Sequence, residues 1–441
     1  MKAMTMTRDS WQLALIVALV ALPFSDAWAA DLTKADPAAI ARWQDMRFGM
    51  FIHWGPVSIT AKEISHSRGS TELPIEKYDA LYKEFNPVKF NADEWAATAR
   101  AAGMKYMVLT AKHHDGFCLW DTKCTDYNIM RSPFSRDVTK ELSAACHRAG
   151  LAFGVYYSVC DWHHPDFPRT GEKGKVVRET SDLDRYTVYL KAQITELLQG
   201  YGPILTLWFD HAQVFGGDRG QVVINLARSL QPDILVNNRS MARGDFDTPQ
   251  QKVGIFNLER PWESCMTITT SGGWSWRGEK DGAKPLADCL AMLVRCAGAD
   301  GNMLLNVGPR PDGLIDPKQV SRLAEIGDWL AKYGDAIYGT RGGPYLPTQN
   351  IASTRKGNTI YLHITAWPED TCKLPALAAK IRKSSLLTGG AVNVRQTADG
   401  LEIAVPKSDR QAMDTIVVLE LDMPAIQIGP ITVKDERISP K

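Results

Sequence analysis

The chain has 441 residues, a formal charge of +1 and 44 per cent apolar residues. Single cores stop growing near roughly 250–300 residues, so this length points to one large domain with a smaller companion. The near-neutral charge gives no footprint for a nucleic-acid or anionic-surface partner, and nothing beyond residue 30 approaches the apolar length of a membrane span.

Residues 1–30 read as a secretory signal peptide. Lys2 and Arg8 make a weakly basic start, 11–22 is an apolar stretch too short to cross a bilayer, and Ala27-Trp28-Ala29 supplies a small-residue cleavage pattern. The mature protein is therefore expected to be exported, either to a periplasm or into the medium. Export permits disulfides, yet Cys118, Cys124, Cys146, Cys160, Cys265, Cys289, Cys296 and Cys372 are scattered, and no pair has metal-ligand spacing.

From about residue 45 to 340, short β-like runs alternate with amphipathic helical stretches. Strands are predicted at 48–54, 106–112, 152–158, 204–210, 234–238, 253–258 and 303–307. Helices are predicted between and after them at 92–102, 138–149, 183–198, 222–230, 285–296 and 317–333. This is nearly the count of a (β/α)8 barrel. A doubly wound sheet competes, but "FIHWGPVSI" after the first strand is no glycine-rich nucleotide loop. The barrel domain is predicted over 31–344. Beyond Gly342-Gly343-Pro344, "NTIYLHITAW", "GLEIAVP" and "DTIVVLELD" alternate apolar and polar residues, which predicts a C-terminal antiparallel β-sandwich over 345–441.

The run "LTLWFD" ends an apolar strand on a carboxylate, Asp210, and His53, His113, His114, Tyr157 and Arg239 fall at other strand ends. A barrel builds its site at that face. Adjacent histidines on a strand point to opposite faces, and no HxH or HExxH spacing occurs, so no metal is expected. Histidine, arginine, carboxylate and repeated tryptophan together suit a sugar, whose rim carries hydroxyls and whose faces are C–H surface. Cleaving a glycosidic bond needs two carboxyl groups. Asp210 is the candidate for the ionised one. Glu263, with Glu259 in reserve, is the candidate acid, in the apolar, Trp-containing segment "NLERPWESCMTITT".

The stretches "RFGMFIHWGPVSI", "MKYMVLTAKHHDGFCLWDTKCTDYNI", "FGVYYSVCDWHHPD", "LWFDHAQ", "PWESCMTI" and "GNMLLNVGPRPDG" closely resemble the α-L-fucosidases of glycoside hydrolase family 29, in the same order, over about residues 40–345. The resemblance implies a retaining exo-glycosidase with a (β/α)8-like barrel, a β-sandwich and no cofactor, acting on a fucosylated oligosaccharide or glycoconjugate. It implies Asp210 as nucleophile and Glu263 as acid/base. It further implies His53, His113, His114, Tyr157 and Arg239 around the sugar, completed by Trp54 and Trp208, with Glu63 as a further contact. Two segments depart from the family pattern. His66 stands where relatives often carry an aromatic, and "SGGWSWRGE" replaces a more usual Ser-Trp-Gly-Tyr run. A fucose-binding protein without catalysis is the competing reading, which leaves the carboxylate at Asp210 without a task. A homo-oligomer is compatible with the sequence.

Overall fold

The computed structural model describes residues 32–434 apart from 213 and 368. The expected signal peptide lies outside the described residues. In chain order the first part contains α1 (Pro37–Met46), β1 (Phe48–Ile52), α2 (Ile75–Ala80), α3 (Ala92–Ala101), β2 (Tyr106–Lys112), α4 (Val138–Arg148) and β3 (Ala152–Ser158). It continues through a hairpin of β4 (Arg169–Thr170) and β5 (Val176–Val177), then α5 (Leu183–Gly200), β6 (Thr206–Asp210), α6 (Gly217–Leu230), β7 (Leu235–Val236), β8 (Glu263–Thr267), α7 (Leu286–Gly298), β9 (Asn302–Val307) and α8 (Pro317–Tyr333). No helix among the described residues is long and apolar enough to cross a membrane. All eight cysteines are free thiols, and seven of them are buried.

Seven parallel strands form one sheet in the order β7-β6-β3-β2-β1-β9-β8. The gap between its edges is filled by an irregular segment, 245–251. Phe246 bridges Asn237 beyond β7, while Asp247 and Gln250 bridge Trp262 and Cys265 on the β8 side, all in parallel sense. The barrel is thus closed by seven strands and one segment without regular strand geometry. Two sequence expectations change here: 253–258 forms no strand, and the strand in that region is Glu263–Thr267.

Strand alternation sorts the side chains into two cores. Met50, Met107, Leu109, Phe153, Val155, Leu207 and Phe209 face the helices. Phe51, Tyr106, Val108, Tyr156, Trp208, Cys265 and Leu304 fill the barrel, with Trp43 of α1 beneath. Gly49 makes room for one of them: a Cβ there would lie 2.5 Å from the Tyr106 ring.

The C-terminal part has a five-stranded antiparallel sheet, in the order Arg341–Gly342, Ile351–Lys356, Thr359–Ile364, Thr415–Leu421 and Ile381–Leu386. A three-stranded sheet of Thr371–Pro375, Gly400–Ala404 and Asn393–Gln396 accompanies it. Ile360, Leu362 and Ile364 point into the sandwich core with Leu401, Ile403 and Val417. On the other face Ala352 and Ile416 join the barrel's outer core, so the larger sheet is cemented to the helical layer.

The register places Glu263 at the opposite end of the barrel from Asp210. Glu263 opens β8 and pairs with Asn302, the first residue of β9, whereas Asp210 closes β6 opposite Ser158, the last of β3. Glu263 is fully buried. Tyr106 donates its hydroxyl hydrogen to one oxygen, and Trp208 Nε1 donates to the other at 3.1 Å. Burial pushes this carboxyl up to about 7, against the hydrogen bonding that pulls it down. The reading of Glu263 as acid/base therefore fails on position. Glu259 is exposed in the loop before the same strand end and fails likewise.

A carboxyl whose folded value is raised binds its proton more tightly folded than unfolded, so its stabilising contribution is complete below the unfolded value and fades as pH rises through about 7. Wild type should lose stability between about pH 4.5 and 7, by at most about 3 kcal/mol from this group, and Glu263→Gln should flatten that slope. Denaturant unfolding of both proteins across this range checks it; parallel profiles would refute the assignment.

Candidate active site

Asp210 stands where β6 leaves the barrel, on the same inward-facing parity as Trp208. Its strand end is locked by the buried Asn237, whose side chain accepts from the Phe209 N–H at 2.9 Å and donates to the Phe209 carbonyl at 2.8 Å. The next residue, His211, has φ 56°, a left-handed conformation unusual for a side-chain-bearing residue, and turns the chain at once.

Three donors meet the carboxylate. Oδ1 accepts from Arg239 Nη1 at 2.9 Å and from the His211 backbone N–H at 2.9 Å, while Oδ2 accepts from the Tyr156 hydroxyl at 2.9 Å. Burial would raise the pKa, but the Arg239 charge and these hydrogen bonds outweigh it and hold Asp210 below the ordinary carboxylate value. Arg239 is itself fixed: it donates to Thr248 Oγ1 at 2.7 Å, the Thr248 carbonyl at 2.8 Å and Gln250 Oε1 at 3.0 Å, and lies 4.9 Å over the Trp208 ring.

Around Asp210 stand five histidines. His114 Nε2 is 3.9 Å from Oδ2. The rings of His113 and His114 are 4.0 Å apart, His53 and His211 each contact one of that pair, and His66 contacts both. Both His113 and His114 reach the site because the β2 register shifts between Thr110 and Lys112 and the strand then ends. The alternation expected of adjacent histidines is thereby broken. Burial lowers His53 to about 4 and lowers His113 and His114 well below the ordinary imidazole value, so all three are neutral near pH 7. The Ser158 hydroxyl donates to the Cys160 carbonyl at 2.8 Å and so accepts from His114 Nδ1 at 2.6 Å. His114 Nε2 then carries a lone pair, and a donor from a ligand fits between it and Asp210. His53 Nδ1 is held in the same way by Asn306 Oδ1 at 2.6 Å, and Asn306 donates to the Trp274 carbonyl at 2.7 Å.

Glu63 lines a cavity of about 700 Å³ at the barrel mouth, together with His66, Gln250 and Trp274. The backbone N–H groups of Trp274 and Ser275, the Ser275 hydroxyl and Arg277 donate to it at 3.2 to 3.3 Å. Two other predicted residues lie elsewhere. Tyr157 faces the helical layer, where its hydroxyl donates to Gln193 at 2.7 Å. Trp54 is packed among Phe85, Phe90 and Trp95 and donates to the Arg310 carbonyl at 3.0 Å. Trp208 is buried beneath the site, stacked against Tyr156. Residues that the sequence reading missed are Tyr156, Asn306, Thr248 and Gln250. Parity could have given Tyr156, since Phe153, Val155 and Tyr157 form the outward-facing row of β3. Among the described residues no group of three His, Cys, Asp or Glu side chains has metal-binding geometry.

Residues 17–335 match the family model for α-L-fucosidase. Tissue α-L-fucosidase of Bos taurus is 29% identical over 372 residues, covering 77% of this chain and 78% of the relative, and an α-L-fucosidase of Dictyostelium discoideum is 28% identical over 367 residues, 74% of this chain and 78% of the relative. Among solved structures, α-L-fucosidase isoenzyme 1 from Paenibacillus thiaminolyticus superposes with a TM-score of 0.78 at 34% identity, over 87% of this chain and 99% of the other. A family 29 α-L-fucosidase from Bacteroides thetaiotaomicron, trapped as a covalent intermediate in complex with 2-fluoro-fucosyl fluoride, gives 0.79 at 26% identity, over 88% and 97%. In sequence and in fold, this chain belongs to the α-L-fucosidases of glycoside hydrolase family 29.

Proposed function

We propose that this protein is a retaining exo-α-L-fucosidase that releases terminal α-linked L-fucose from glycans or glycoconjugates, with Asp210 as nucleophile. The observation that carries the reading is Asp210 itself: a carboxylate kept ionised at a strand end, with Oδ2 carrying only the Tyr156 hydrogen bond and facing a neutral histidine. In the first step Asp210 Oδ2 bonds to the anomeric carbon as the glycosidic C–O bond breaks and the leaving oxygen takes a proton. In the second step water displaces Asp210, and fucose leaves with its configuration retained.

Neutral His53, His113 and His114 accept from or donate to the sugar hydroxyls, so they read a hydroxyl pattern without adding charge beside the nucleophile. Tyr156 and Arg239 serve Asp210 directly, and Trp208 is the floor on which both rest. Glu63 has its oxygens occupied by four donor groups and acts as a fixed acceptor for a sugar hydroxyl. The proton for the leaving oxygen comes from neither Glu263 nor Glu259. Aryl fucosides, whose leaving group departs with little help, therefore isolate the Asp210 step.

On an aryl α-L-fucoside, Asp210→Gly should lower kcat by at least about 10³-fold, and added azide should restore turnover as a fucosyl azide of inverted configuration. Activity surviving in the variant would refute the nucleophile, and wild type without activity would refute the fucosidase reading. The first thirty residues support export from the cytoplasm. Mass spectrometry of the protein from its native source should find the mature chain beginning near residue 30; an intact Met1 would overturn that part.

A further inference from the structure

A sugar leaves a glycosidic bond as an alcohol, so its oxygen needs a proton as the bond to carbon breaks. A retaining enzyme gives that proton from a second carboxyl group, roughly 5–5.5 Å from the first. Gln250 stands at this spacing from Asp210. Arg239 Nη1 donates to Asp210 Oδ1 at 2.9 Å and to Gln250 Oε1 at 3.0 Å, so two short legs through one nitrogen hold the two side-chain oxygens less than about 6 Å apart.

Gln250 is also at the right end of the barrel. It lies near the end of segment 245–251, which takes the eighth strand position: Asp247 bridges Trp262 just before β8, and Gln250, three residues on, bridges Cys265 within it. Its side chain is exposed and lines the cavity at the mouth. A barrel places its reacting groups at such strand ends. The group here is a carboxamide, which donates and accepts hydrogen bonds but transfers no proton.

No other carboxyl group among the described residues takes over that place. Glu63 has its oxygens filled by the N–H groups of Trp274 and Ser275, the Ser275 hydroxyl and Arg277. Asp247 pairs with Arg260 at 2.9 Å, and Asp161 is buried against Lys112 at 3.2 Å. Asp115 is buried and accepts from the Tyr78 hydroxyl and from the Phe117 N–H at 3.3 Å. His53, His113 and His114 are neutral near pH 7 and lack the extra proton that an acid must give.

We infer that Gln250 fills the acid/base position of this chain with a group that cannot transfer a proton, so that displacement by Asp210 runs without a proton donor of the protein's own. The inference rests on the reading of Asp210 as the nucleophile of a fucosidase. In the first step the Asp210 Oδ2 bond to the anomeric carbon forms while the leaving oxygen keeps the electron pair of the broken bond. A phenol departs readily as its anion, whereas a sugar oxygen must take its proton from water and departs slowly. In the second step water attacks the anomeric carbon, the bond to Asp210 breaks with its electron pair returning to the carboxylate, and the proton of the water goes to solvent. With no base to receive that proton the fucosyl-enzyme persists, and an anion that needs no deprotonation, such as azide, attacks it faster than water does.

The test measures wild type and Gln250→Glu on an aryl α-L-fucoside and on a neutral fucosyl disaccharide, with and without azide. Azide should raise wild-type turnover of the aryl substrate by about threefold or more and yield a fucosyl azide of retained configuration, because it enters after Asp210 has inverted the centre once. Gln250→Glu should raise kcat/KM on the disaccharide by about tenfold or more and much less on the aryl substrate, since general acid catalysis is worth roughly 10²–10⁴-fold. It should also remove the azide effect and add a basic limb to the disaccharide pH profile, where the new acid ionises. A wild type indifferent to azide, or no gain on the disaccharide in Gln250→Glu, overturns the inference and leaves Asp210 in its role. A wild-type basic limb on the disaccharide that disappears in His66→Gln overturns it as well, by placing the proton on that histidine. A wild type inactive on both substrates overturns the fucosidase reading and the inference together.

Discussion

The ion pair between Asp210 and Arg239 is the constraint on which the rest of the site depends. A carboxylate in the mouth of a barrel, ringed by aromatic and imidazole side chains, would take up a proton to escape desolvation. Arg239 prevents this, and it can do so only because it is immobile. Its other donors are spent on Thr248 and Gln250, which belong to the irregular segment closing the barrel. The missing regularity of the eighth strand position and the ionisation of Asp210 are thus two views of one arrangement.

The barrel interior holds two carboxyl groups in opposite states. Glu263 at the floor has only neutral partners, Tyr106 and Trp208, and burial drives it toward the protonated form. Asp210 at the mouth has a guanidinium and is driven the other way. Trp208 touches both systems, through its Nε1 below and its ring face above. A buried carboxylic acid at the base therefore fixes the indole that supports the arginine. This makes Glu263 a support for the surroundings of Asp210 although the two lie at opposite ends of the barrel.

Much of this was legible in the sequence. β2 and β3 fall on their predicted residues, α8 does also, and the change of texture beyond Gly343 marks the antiparallel sheets. Asp210, Arg239 and the histidine pair were legible because they follow apolar runs that end abruptly. The place of Glu263 was not legible because its strand is hidden: "ESCMT" opens on two polar residues, shows no clean alternation and follows a proline-containing loop, so a strand start reads as a loop after a strand. Tyr157 stands among the expected site residues because the motif does not itself carry strand parity; in β3 the outward row is Phe153, Val155 and Tyr157, which leaves Tyr156 for the interior. Trp54 was lost in the same way, since a buried tryptophan serves a helix–sheet layer as readily as a sugar pocket. Segment 245–251 carries no periodicity, so nothing in the sequence announces that it closes the barrel.

The measurement that bears most directly on this account is the pH dependence of kcat/KM for an aryl α-L-fucoside, in wild type and in Arg239→Gln, each profile scaled to its own maximum. With Asp210 as the proposed nucleophile, the acid limb reports its ionisation in the free enzyme. Without the guanidinium the pull downward is lost while the upward push of burial remains, so the variant's acid limb should move to higher pH. An acid limb that stays in place or moves to lower pH would mean that Arg239 does not keep Asp210 ionised, and the account of the site would fail at its centre.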